Sequence, residues 1–107
     1  MEDNTFKRIM ESKIDYHTPG FYFKTYGRSG TIYFVEDDSI VVPIYAEWPA
    51  IEELDILIFG ETKHIDKRYY IKEQIVEVIK YEDRVRIQGL LVKWLDERGW
   101  RYYLHGY

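Results

Sequence analysis

The sequence predicts a single α+β domain: an antiparallel or mixed sheet of about five or six strands, a long C-terminal helix packed on one face, and a short N-terminal helix. Three observations predict it. Between residues 81 and 98 the apolar side chains Ile87, Leu90, Leu91, Trp94 and Leu95 recur at the spacing of one helix face. Upstream, short blocks rich in Val, Ile, Tyr and Phe are separated by turn-forming residues. A chain of 107 residues, 46% hydrophobic and 32% charged, suits one packed core without staples.

The elements follow in order. Residues 4–14, NTFKRIMESKI, predict a short helix with Asn4 or Thr5 as N-cap and Phe6, Ile9, Met10 and Ile14 on its apolar side. Pro19-Gly20 in DYHTPG breaks it. FYFKTY (21–26) reads as a strand, GRSG as a turn, and TIYFVE (31–36) as a second strand. Asp37-Asp38 then turns the chain into SIVVPIYAEW, because short acidic side chains can hold a tight turn through their own hydrogen bonds. In that strand Ile40, Val42, Ile44, Ala46 and Trp48 share one face, and Val41, Pro43, Tyr45 and Glu47 share the other. Pro43 has no N–H to donate, which predicts an edge or a bulge there.

LDILIFG (54–60) is apolar on both faces apart from Asp55, the pattern of a central strand. ETKHIDKR reads as a polar loop. In YYIKEQIVEVIKY (69–81) two periods overlap: Ile71, Ile75 and Val78 are spaced as in a helix, whereas Val76 and Val78 alternate as in a strand. The density of β-branched residues favours a strand for its second half. The long helix, from about Tyr81 to Arg98, has Glu82 and Asp83 near its positive end and Gly99 placed to stop it. WRYYLH closes the sheet.

Chemistry is harder to find. No Cys is present, which removes thiolate nucleophiles, thiolate metal sites and disulfides. Neither GxGxxG nor GxxxxGK[ST] occurs, and Ser12, Ser29 and Ser39 lie in helix or turn contexts rather than a nucleophile elbow. His17, His64 and His105 show no metal-ligand spacing, so no metal and no cofactor are expected. Of the paired acids, Asp37-Asp38 reads as a turn and Glu82-Asp83 as a helix start, and no catalytic residue is assigned. The net charge of −4 argues against nucleic acid, although Lys67-Arg68-Tyr69-Tyr70 and Trp100-Arg101-Tyr102-Tyr103 interleave basic and aromatic residues. The charged N-terminal stretch and the lack of a long apolar run predict a cytoplasmic protein with no membrane contact.

What stands out is EWPAIEELD (47–55), with four acids around Trp48. Tyr45, Glu47, Trp48, Glu52 and Glu53 are the candidate partner-binding residues: aromatic anchors with an acidic rim that steers a basic surface. Trp48 is equally in phase with the apolar face of its strand and so is also a candidate for the core. Eleven tyrosines serve either as strand formers or as contact surface.

The order GTIYFVEDD, SIVVPIYAEW, LDILIFG and YEDRVRIQGLLVKWLDERGW resembles small cytoplasmic immunity-type proteins of bacterial polymorphic-toxin loci. The likeness covers about residues 30–103 and rests on element order and apolar pattern; YYIKEQIVEVI is richer in β-branched residues than the loop expected there, and residues 1–29 have no counterpart. It implies function by binding: a rigid scaffold covering a basic toxin domain with on the order of 800 Å² of its own surface. Two alternatives stay open. One is a homo-oligomeric structural or regulatory module, dimeric through the Pro43 strand or WRYYLH. The other is a small-molecule-binding protein or minor enzyme using the acidic segment 47–55.

Overall fold

The structure, a computed structural model, describes residues 4–26, 29–47, 55–59 and 65–105. The elements are α1 (Thr5–Glu11), β1 (Gly20–Tyr26), β2 (Ser29–Asp37), β3 (Ile40–Glu47), β4 (Ile56–Phe59), β5 (Lys67–Tyr70), β6 (Ile75–Val78), α2 (Tyr81–Glu97) and β7 (Tyr102–His105). The α+β class is the one expected, and the sheet is mixed. Its main path runs β1-β2-β3-β4-β7, antiparallel except for the parallel β4–β7 pair, and β5 and β6 branch from β3.

Among the described residues the strands number seven, because the ambiguous stretch is a hairpin. Tyr70 pairs with Ile75 across a four-residue turn in which Gln74 takes the left-handed conformation (φ 57°) and donates its side-chain amide to the Ile71 carbonyl. Two short strands explain the double periodicity: each is too brief to show a clean alternation. Of the expected polar loop before it, Lys67 and Arg68 belong to β5, and residues 61–64 lie outside the described residues. Ser29 and Gly30 of the expected GRSG turn are the start of β2, and Gly27 and Arg28 lie outside the described residues. Gly30 is needed there, because a Cβ at that position would lie 2.5 Å from the ring of Phe23 and 2.8 Å from the Lys24 carbonyl.

β3 is not an edge, nor is it bulged at Pro43. β2 runs along one side of it, with Tyr33 opposite Pro43, while its other side is shared: β5 covers Ile40 and Val41, and β4 covers Ala46 and Glu47. Pro43 falls in the interval between them, where among the described residues no strand asks for an N–H. The bulge lies in β2 instead, between Val35 and Asp37, which leaves Glu36 unmatched.

Each sheet face has its own core. On one, Ile32, Phe34, Val42, Ile44 and Ala46 meet Ile87, Leu91 and Leu95 of α2. On the other, Tyr33, Val35, Val41 and Tyr69 meet Ile9 and Ile14, with Phe6 edge-on to Tyr69. The helix stripe is narrower than expected, for Leu90 is exposed and Trp94 only partly buried. α2 ends as a Schellman motif: Gly99 (φ 72°) donates to the Asp96 carbonyl and Trp100 to that of Leu95, so Gly99 is the stop that was expected. α1 is shorter than 4–14. Asn4 takes the N-cap place without a side-chain cap, Lys13 (φ 59°) turns the chain away after Glu11, and Met10 faces solvent.

Candidate functional site

Of the five candidate partner-binding residues, Tyr45 and Glu47 are described; Trp48, Glu52 and Glu53 lie outside the described residues, as does His64. Tyr45 and Glu47 sit two apart on β3 and so share a face, the one turned away from α2. The exposed Tyr45 hydroxyl donates to Glu47 Oε1 at 2.7 Å, and this bond to the carboxylate holds the phenol pKa above its ordinary value. Tyr45 also walls a groove between α1 and the sheet, with Arg8, Thr31 and Tyr33. The pair is therefore pre-oriented: the acid is tethered to the aromatic ring it was expected to accompany.

Asp55, the last acid of the segment, serves another end. Its carboxylate accepts the Arg101 backbone N–H at 2.8 Å and both ends of the Arg101 guanidinium at 3.2 and 3.1 Å, which lowers its pKa. The Asp55 and Ile56 N–H groups in turn donate to the Arg101 carbonyl. Asp55 thus aligns β4 with β7.

Sequence reasoning missed the strongest charge cluster. Arg68 on β5 is only 12% exposed in its side chain and meets three carboxylates: Glu36 at 2.6 and 3.1 Å, Glu77 at 2.6 Å and Asp83 at 2.8 Å. Arg86 completes the set, 3.1 Å from Glu36 and 2.9 Å from Asp83. The β2 bulge presents Glu36 to this cluster. The carboxylates raise the Arg68 pKa, Glu36 foremost, and Arg68 followed by Arg86 lowers that of Asp83. Every charge here already has a partner of opposite sign, so the cluster holds β2, β5, β6 and the first turn of α2 together. A second, exposed cluster fastens the turns. Asp38 accepts from His17 Nδ1 at 2.6 Å, from Ser39 Oγ at 2.8 Å and from Lys72 Nζ at 3.3 Å, and its pKa falls to about 2. The Asp37-Asp38 turn is as expected: Asp38 N–H donates to Asp37 Oδ1 at 2.8 Å.

Also missed was a bare apolar edge. β6 pairs with β5 alone among the described residues, and its Ile75, Val76 and Val78 are 54%, 40% and 65% exposed. Tyr81 and Val85 at the start of α2 are exposed as well. The available signal was the IVEV run itself, which a β-branched count assigns to a strand but cannot mark as uncovered. No group of three metal-ligating side chains occurs among the described residues, and none of their helices is long and apolar enough to cross a membrane. Comparison of the chain with protein-family models, curated proteins and solved structures gave no match.

Proposed function

We propose that the chain is a non-enzymatic protein-binding domain, an immunity-type protein that neutralises a bacterial toxin by covering it in the cytoplasm. The observation that carries this reading is β6: a short edge strand bearing three exposed β-branched side chains, joined to Arg68 through Glu77. Uncovered apolar surface on a strand edge favours association, since its burial releases water. Tyr45 with Glu47, and Trp48, Glu52 and Glu53 beyond, supply the aromatic and acidic chemistry for a basic partner.

The test is co-expression with each toxic protein encoded beside the gene. Restored growth and co-purification are expected, weakened by Val76→Lys/Val78→Lys and by Glu52→Lys/Glu53→Lys. If no neighbour co-purifies and growth arrest persists, the reading fails.

The same edge supports a second reading, a homo-oligomeric module. β3 lies inside the sheet and is no dimer edge, whereas β6 and β7 keep an outer side among the described residues. A molar mass that doubles with concentration in light scattering, and reverts in Val76→Lys/Val78→Lys, would favour it.

A further inference from the structure

β1 forms the opposite end of the sheet. It bonds to β2 on one side, and among the described residues no strand lies on the other. A groove of about 440 Å³ runs beside it, bordered by the four consecutive residues 21–24 and by Trp94, Arg98 and Trp100. Successive strand residues face opposite sides of a sheet, so a hollow touched by all four straddles the strand's edge and not one of its faces.

The hollow's chemistry is aromatic and cationic. Phe21 stacks on Trp94 with centroids 5.2 Å apart, Phe23 meets Trp100 edge-on at 5.6 Å, and the two indoles meet edge-on at 5.9 Å. The Arg98 guanidinium lies over both, 4.9 Å from the Trp94 centroid and 4.7 Å from that of Trp100. Its guanidinium N–H groups donate to no acceptor among the described residues. Among the described residues neither Arg98 nor Lys24 has an ion-pair partner, in a chain with 19 acids to 15 lysines and arginines.

We propose that β1 is a docking edge for an extended acidic segment of a protein partner, which adds to the sheet as a further strand and seats a carboxylate side chain on Arg98, with Lys24 adding positive charge from the opposite face of the same edge. The strand ladder supplies attachment, and the aromatic-cationic hollow selects the side chain. A second copy of this chain is a poor occupant. β1 carries Lys24 and no acid, so two such edges would bring together four cations with no carboxylate between them. This inference is independent of the β6 and Tyr45 surfaces.

The probe is a capped hexapeptide of alternating Val and Thr with one central Asp, titrated into the full chain and followed by tryptophan fluorescence and by amide and indole NMR shifts. Saturable binding is expected, with shifts centred on residues 21–25 and on the Trp94 and Trp100 indoles. Replacing the peptide Asp by Asn, or making Arg98→Gln in the protein, should weaken it about tenfold, the size of a lost charge-assisted hydrogen bond, and Lys24→Gln, on the opposite face, should weaken it less. N-methylation of the peptide along its pairing edge should abolish it. Both protein variants change exposed or half-exposed side chains, and an unchanged melting temperature will show that they fold. The proposal is overturned by no saturation at millimolar peptide, by equal affinity for the Asp and Asn peptides, by shifts on β6 in place of β1, or by a dimer formed through β1.

Discussion

Replacing Arg68 by Met tests whether the five-residue charge cluster organises this fold. The substitution keeps much of the side chain's length and apolar stem and removes only the guanidinium. Glu36 is 15% exposed and would keep one contact, the partly exposed Arg86 at 3.1 Å. Breaking a buried ion pair costs about 3–5 kcal/mol, because the remaining charge is stranded. The Glu77 and Asp83 arms are more open to water and contribute on the scale of surface pairs, about 0–1 kcal/mol each. With Arg86 relieving part of the stranded charge, the expected loss is about 2–4 kcal/mol, or roughly 8–16 °C in Tm for a domain of this size. Urea unfolding of wild type, Arg68→Met, Glu36→Gln and the double variant gives the coupling directly, expected at about 1–3 kcal/mol. A loss below about 0.5 kcal/mol, the range of ordinary surface substitutions, would refute the view that this cluster holds β2, the β5–β6 hairpin and α2 together.

Other outcomes follow from the same geometry. Leu91→Ala should cost about 2–5 kcal/mol, and Leu90→Ala less than about 1 kcal/mol, because only Leu91 is buried; equal melting temperatures would contradict the helix orientation. Gly89→Ala should stabilise by about 0.5–1 kcal/mol, since a Cβ there meets nothing within 4 Å in mid-helix, while Gly99→Ala should destabilise by about 1 kcal/mol because of its positive φ. Acid unfolding should begin as pH falls through the carboxylate range. Asp38 has a folded pKa of about 2 against an ordinary 3.8, so its contribution is full above about pH 4 and lost as pH falls toward 2; Asp55 and Asp83 shift in the same direction. Asp38→Asn should flatten that limb in urea midpoints measured against pH, and an unchanged slope would show that the His17–Asp38–Lys72 contacts add nothing to stability.

Local patterns carried most of the element plan. The α2 stripe, the Gly99 stop, the Asp37-Asp38 turn and the alternation that puts Val42, Ile44 and Ala46 opposite Tyr45 and Glu47 are all properties of neighbouring residues, and spacing reports them directly. Errors arose where the decisive partner is distant in the chain. Pro43 reads as an edge signal, yet it lies inside the sheet because β4 and β5 leave an interval at that point. Asp55 reads as one of four similar acids, yet it is bound to Arg101 some 46 residues later.

For function the division is the same. Composition and motif spacing were enough to set aside thiolate chemistry and phosphate-binding glycine loops, and to name Tyr45 and Glu47 as candidate partner-binding residues. Neither the bare β6 edge nor the Arg98 hollow could be read from IVEV or DERGW, because exposure depends on what packs above a side chain, and that is settled by strand order and helix placement. Glu36 is the clearest case. In the sequence it is one acid before two others, and it becomes the partner of Arg68 and Arg86 because a bulge unmatches it and a hairpin and a helix from far along the chain deliver both cations to it.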